Sequence, residues 1–174
     1  SKFVHYRPRT AILNNLEYDH ADIYPDVASI QKQFHLLLRT VPGNGRLLVN
    51  ADEPHLENVL RLGCWTPVER FTSASTAGCE WRVAAAGGDE SFASFDIWRG
   101  ERCLGRVDWD LLGRHNAANA LAAVAAACHA GVGEDAALEA LRRFGGVKRR
   151  LEVRGVVREI VVYDDFAHNP TAIA

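Results

Sequence analysis

The sequence contains no methionine, no C-x-x-C spacing and no G-x-x-x-x-G-K-[ST] loop. Each absence removes something. A chain without methionine that opens on Ser1 reads as a piece of a longer protein. Without the glycine-rich loop, nothing here cradles a triphosphate in the usual way; the turn Gly43-Asn44-Gly45 is only a turn. The four cysteines, Cys64, Cys79, Cys103 and Cys128, are too scattered for a metal knuckle or redox pair. They read as small buried hydrophobes in a reducing cytosol, so the expected location is cytoplasmic. Charge of one sign is also missing. A formal net charge of −2 without a basic stripe argues against nucleic acid as the main partner. The longest apolar run, residues 117–128, is interrupted by Asn119 and is too short to cross a bilayer, so no membrane insertion is expected. No signal peptide is expected, and the residues show no internal repeat or low-complexity segment.

What is present fits one ordinary globular domain. A chain of 174 residues with 48% apolar content buries a substantial core. The run 10–13 reads as a strand, and 25–38 as a helix whose inward stripe is Val27, Ile30, Phe34, Leu37 and Leu38. The segment 46–50 is a second strand, and 53–62 a second helix with Leu56, Val59 and Leu60 inward. Strand–helix–strand–helix order predicts an α/β fold with a mostly parallel sheet flanked by helices. From 64 to 110 the texture turns β-rich. Residues 103–111 alternate in two sets, of which the second is polar from Gly105 onward, and a turn at 99–102 joins them to 92–98. This predicts an antiparallel β ribbon appended to the parallel sheet. A helix over 134–144 ends at Gly145-Gly146, and strands follow at 151–156 and 160–163.

The most informative stretch is 112–131, LGRHNAANALAAVAAACHAG. Asn116 occupies the expected N-cap of an alanine-rich helix, with Asn119 on the same face one turn on. One reading is a capped core helix with a spare asparagine. The other is a purine site, because a carboxamide pairs its donor and acceptor with adenine N7 and N6, and helix N-termini attract anions. Just past the first strand, Glu17, Asp19, His20 and Asp22 crowd one loop at the ligand-binding end of an open sheet. They suit a divalent cation or are a solvated turn; on donor chemistry alone Asp19 or Glu17 would be preferred for Mg²⁺. Lys148-Arg149-Arg150 grips phosphate or forms wet surface. Asp164-Asp165 after a strand end could accept from a ribose. His5, His35, His55 and His129 carry no partner pattern and read as structural.

Four segments together resemble the Mur ligases, the ATP-dependent amino-acid ligases of cell-wall synthesis. They are NLEYDHAD (15–22), GRHNAANA (113–120), RRLE (149–152) and DDFAHNPT (164–171). The resemblance covers nearly the whole chain. It implies a P-loop NTPase-like central domain lacking its phosphate loop over 1–163, with the hinge into a C-terminal ligase domain over 164–174. It implies ATP and two Mg²⁺ sites in the full enzyme, with UDP-N-acetylmuramate and either a murein tripeptide or L-alanine as substrates. His20 would hold the second Mg²⁺ and act in catalysis. Asn116 and Asn119 would read adenine with His115 beside them; Arg150 would act on the nucleotide phosphates, and Asp165 would hold the ribose. Some members carry a carbamoylated lysine after the Asp-His loop. Here the region reads Gln33-Phe34-His35, and Lys32 is not assigned that role. Asn169 stands where some members have a second histidine. The chain alone is expected to be inactive, and a monomer is the expected state. The competing readings are a non-catalytic adenine-nucleotide-binding module and a plain interaction domain.

Overall fold

The computed structural model describes residues 2–74, 78–150 and 152–167. They fall into two compact units, Ser1–Arg143 and Phe144–Ala174. In the first, β1 (Thr10–Leu13), α1 (Val27–Leu38), β2 (Arg46–Asn50) and α2 (Pro54–Arg61) alternate as expected, and β3 (Val68–Thr72) adds a further strand. Then follow β4 (Trp81–Ala85), β5 (Ser94–Arg99), β6 (Arg102–Asp108), α3 (Arg114–His129) and α4 (Glu134–Arg142). The six strands lie in sequence order. β1 through β4 pair in parallel, and β5 and β6 continue the sheet as an antiparallel ribbon.

Local chemistry explains the element starts. Asp26 caps α1, its carboxylate accepting the Ser29 N–H at 2.7 Å. Glu53 caps α2, with Pro54 in the first turn where no N–H is missed. Successive side chains of β2 point to opposite faces. Leu47 and Val49 join Leu13, Ile30, Leu38, Leu56 and Val59 in one core. Leu48 joins Phe71, Trp81, Phe95, Ile97, Leu121 and Leu138 in the other. The sheet is therefore covered on both faces, with α1 and α2 on one and α3 and α4 on the other. Of the predicted α1 stripe, Ile30 and Leu38 are buried, while Val27, Phe34 and Leu37 are partly buried against them.

The buried face of α3 is Ala117, Ala118, Ala120, Leu121, Ala122, Val124 and Ala125. Side chains this small let the helix lie close across the sheet, touching β1 through β4. Leu121 is fully buried; trimming such a residue to alanine costs about 2–5 kcal/mol.

The cysteines depart from expectation. All four are free, but none is fully buried: Cys64, Cys79 and Cys128 are half-buried and Cys103 is exposed. Cys103 is turned outward by a register shift. Ile97 pairs with Gly105 and Trp98 with Cys103, so Leu104 is the extra residue of a bulge. Simple alternation from 103 to 111 thus breaks at its start, and the strand ends at Asp108.

The second unit is a hairpin of β7 (Glu152–Val157) and β8 (Ile160–Asp164). Arg158 and Glu159 both take positive φ, 48° and 67°. That is the backbone of a tight two-residue turn matched to strand twist. Leu151 and the residues from His168 onward lie outside the described residues.

Candidate nucleotide site

The helix at the centre of the sequence reading begins three residues earlier than its asparagine suggests. The N-cap of α3 is Gly113, not Asn116. Gly113 takes φ 94°, a conformation glycine adopts without strain, and its N–H donates to the Ser91 carbonyl at 2.7 Å. Asn116 then lies inside the first turn. Its Nδ2 donates back to the Leu112 carbonyl at 2.7 Å instead of its oxygen accepting from an N–H. Asn116 is therefore a strut between helix and preceding loop. His115 is exposed, and its ring folds over Gly113.

Asn119, one turn further, presents an exposed carboxamide. Its Oδ1 accepts a hydrogen bond from Asn14 Nδ2. Asn14 directly follows β1, and its backbone carbonyl accepts from Asn50 Nδ2 at 2.9 Å, at the end of β2. Asn50 Oδ1 in turn accepts the Asp52 N–H at 3.0 Å. The carboxyl ends of two parallel strands and the start of α3 are thus joined through carboxamides. This end of an open α/β sheet is where ligands bind. Neither Asn14 nor Asn50 stands out in the sequence as a site residue. The available signal was an asparagine at the carboxyl end of each of two consecutive parallel strands.

Beside them the Asp52 carboxylate accepts several hydrogen bonds. Burial pushes its pKa up. Bonds from the Thr72 hydroxyl at 2.5 Å and from the Ser73 and Ala74 N–H groups at 2.8 and 3.2 Å outweigh that burial and hold its pKa below the ordinary value. It pins the segment leaving β3.

The Asp-His loop is a closed turn. The His20 carbonyl accepts the N–H groups of Ile23 and Tyr24 at 2.8 and 2.9 Å. The Tyr18 hydroxyl donates to the Tyr24 carbonyl at 3.0 Å. His20 itself takes φ 54°, unusual for a side-chain-bearing residue. Its N–H donates to Asp19 Oδ1 at 2.7 Å, and its Nε2 stands 3.9 Å from Asp19 Oδ2. Strain of this kind concentrates at functional sites. Among the described residues no three His, Cys, Asp or Glu side chains converge as a ready-made metal site. The Asp19–His20 pair fits Mg²⁺ as a partial donor set, the usual case for an ion that keeps waters and takes phosphate oxygens.

Arg150 and Asp165 lie in the second unit. Arg150 is exposed and makes no ion pair among the described residues. Its neighbour Arg149 approaches Asp164 at 3.6 Å and lies 5.0 Å from the centre of the Phe166 ring. Asp165 Oδ1 accepts the Ala167 N–H at 2.6 Å. His168, Asn169, Pro170 and Thr171 of the last motif are outside the described residues.

A helix-flanked, mostly parallel sheet with polar groups gathered at the carboxyl ends of its strands makes this an α/β domain. Residues 1–127 match the Mur ligase middle domain, and the chain belongs to that family. It is 48% identical to the UDP-N-acetylmuramate–L-alanyl-γ-D-glutamyl-meso-2,6-diaminoheptanedioate ligase of Haemophilus influenzae, over 99% of this chain and 37% of that protein. Among solved structures, the corresponding ligase of Neisseria meningitidis is 53% identical with a TM-score of 0.75, covering 86% of this chain and 44% of that one. The murein peptide ligase of Psychrobacter arcticus is 43% identical with a TM-score of 0.78, covering 99% and 35%. The chain thus spans little more than a third of the length of the curated relative it matches. Among the described residues, no helix is long and apolar enough to cross a membrane.

Proposed function

We propose that this chain is the ATP-binding central domain of a cytoplasmic, monomeric ligase. That ligase joins UDP-N-acetylmuramate to L-alanyl-γ-D-glutamyl-meso-diaminopimelate through an acyl phosphate. In this reading the central domain runs to residue 163 and the hinge begins at 164. The observation that carries it is the exposed Asn119 carboxamide on the first turns of α3, held at the carboxyl ends of β1 and β2. Identity of 48% with a ligase of that tripeptide supports it as the substrate.

Asn119 then reads the adenine edge, with Asn116 bracing the turn that carries it and His115 beside the base. Bound Mg²⁺ supplies charge neutralisation at the transferring phosphoryl group. His20 would hold that ion, Arg150 would meet the nucleotide phosphates, and Asp165 would accept from the ribose. No side chain of this chain needs to act as a covalent nucleophile; its work is binding and orientation.

A ligation assay on the full-length protein with ATP, UDP-N-acetylmuramate and tripeptide tests this. Tripeptide-dependent release of ADP and ligated product is expected. Activity with L-alanine in place of tripeptide would move the assignment to the alanine-adding branch. Nucleotide binding without turnover on either would favour a sensing module. The 174-residue chain alone is expected to be inactive; ligation by it would refute the division of labour.

A further inference from the structure

We infer that Asn14 is a positioning residue: it fixes which way round the Asn119 carboxamide faces, and so gives the site its preference for adenine over guanine. The inference rests on the reading of Asn119 as the group that meets the base.

A carboxamide has nearly the same shape at its two ends and opposite chemistry. An exposed one turns over freely and presents donor and acceptor in either order. Asn14 removes that choice. Its Nδ2 can only donate, and it meets Asn119 Oδ1. Asn119 Oδ1 keeps a second lone pair and Nδ2 keeps both hydrogens, so one acceptor and one donor still face outward. That order matches the N6–H and N7 of adenine. Guanine offers O6 and N7, both acceptors, and O6 would face Oδ1 lone pair to lone pair.

The Asn14 backbone is held by Asn50, whose Nδ2 donates to its carbonyl at 2.9 Å. Turning the Asn14 carboxamide over would bury an NH2 with two unpaired hydrogens in the partnerless position Oδ1 now takes. Its own Oδ1, by contrast, is buried and has no partner among the described residues. A buried acceptor left unpaired costs about as much as a side-chain hydrogen bond elsewhere returns. Fold stability therefore gives no reason for an asparagine here. Control of a neighbouring functional group does.

Steady-state kinetics of the full-length ligase with ATP and with GTP, other substrates saturating, decide the matter. Asn119→Ala tests the reading beneath. Asn14→Leu keeps volume and removes the donor. Asn14→Asp places an acceptor against Asn119 and turns its carboxamide over; it keeps the asparagine shape and carries the test where leucine disturbs folding. Asn14→Leu is expected to raise the KM for ATP and to lower the ATP:GTP ratio of kcat/KM by about tenfold, the scale of one bidentate base contact. Asn14→Asp should lower the ratio further. Adding Asn14→Leu to Asn119→Ala should change nothing more, as expected for two residues acting through one bond. If Asn119→Ala raises the KM for ATP while both Asn14 variants keep the wild-type ratio, the inference is overturned and the adenine site stands. Variants of Asn14 that lose kcat with every substrate and keep that ratio would make its role structural, which also overturns it. An unaltered KM for ATP in Asn119→Ala overturns the adenine reading and this inference with it.

Discussion

The His115 imidazole lies so close over Gly113 that a methyl group there would meet Cε1 at 2.7 Å and Nδ1 at 2.9 Å. One hydrogen-sized side chain thus makes room for the ring and lets the backbone enter α3 at φ 94°. Gly113→Ala should lose on both counts. A positive-φ position given a Cβ is expected to cost about 1–2 kcal/mol of stability. The displaced ring should also raise the KM for ATP in the full ligase. Thermal unfolding and ATP titration check the two effects separately.

Asn119→Ala removes the exposed carboxamide without touching the buried alanine face of α3. In the full ligase it should raise the KM for ATP by the equivalent of about 1–3 kcal/mol, and leave the KM for the tripeptide unchanged. Kinetics at fixed Mg²⁺ with each substrate varied in turn provide the check; equal changes for both substrates would exclude a base contact.

His20→Ala should slow turnover far more than it weakens ATP binding. A cation on the substrate side acts on charge that develops as the phosphoryl group moves. Single-turnover rates set against nucleotide affinity separate the two. A crystal structure with an ATP analogue and Mn²⁺ gives the direct view: an anomalous peak within about 2.5 Å of the imidazole supports the role. A well-occupied second ion held by Asp19 or Glu17, with His20 turned away, refutes it.

The bonds from Thr72, Ser73 and Ala74 hold the Asp52 pKa below that of the unfolded chain, against the opposing effect of burial. The folded state therefore binds this proton less readily than the unfolded state. The stabilisation is complete above the ordinary carboxylate range and is lost as pH falls below about 4, through the folded value. Asp52→Asn should remove that acid-sensitive component. Denaturant unfolding followed from pH 7 to pH 3 should show a shallower loss of stability for the variant.

Much of this fold is legible from hydrophobic period alone. The run RLLVN of β2 is buried from both sides and so carries three consecutive apolar residues, and α2 follows with Leu56 and Val59 at one face. The ribbon was readable as a ribbon, but its register was not. The bulge at Leu104 depends on what stands across the strand pair, and no local pattern encodes it. The start of α3 was misplaced for a related reason. Asn116 has the chemistry of a cap, yet the bond from Gly113 to Ser91 begins the helix one turn earlier. Asn119 was visible as an amide on a helix face. Its link to Asn14 spans 105 positions of sequence and exists only because β1 ends beside α3.

The buried side chains of α3 are mostly single methyl groups. A methyl has no rotamer to choose, so the helix loses almost no side-chain entropy on docking. For the same reason the contact has no softer alternative to relax into. A leucine-lined helix can shift by exchanging one set of rotamers for another, whereas this one has a single seating on the sheet. The backbone that carries the outward groups of its first turns therefore inherits the stiffness of the strands below. A change of nucleotide preference in this domain has to come from the residues that ring the helix start, because the helix itself cannot be re-aimed.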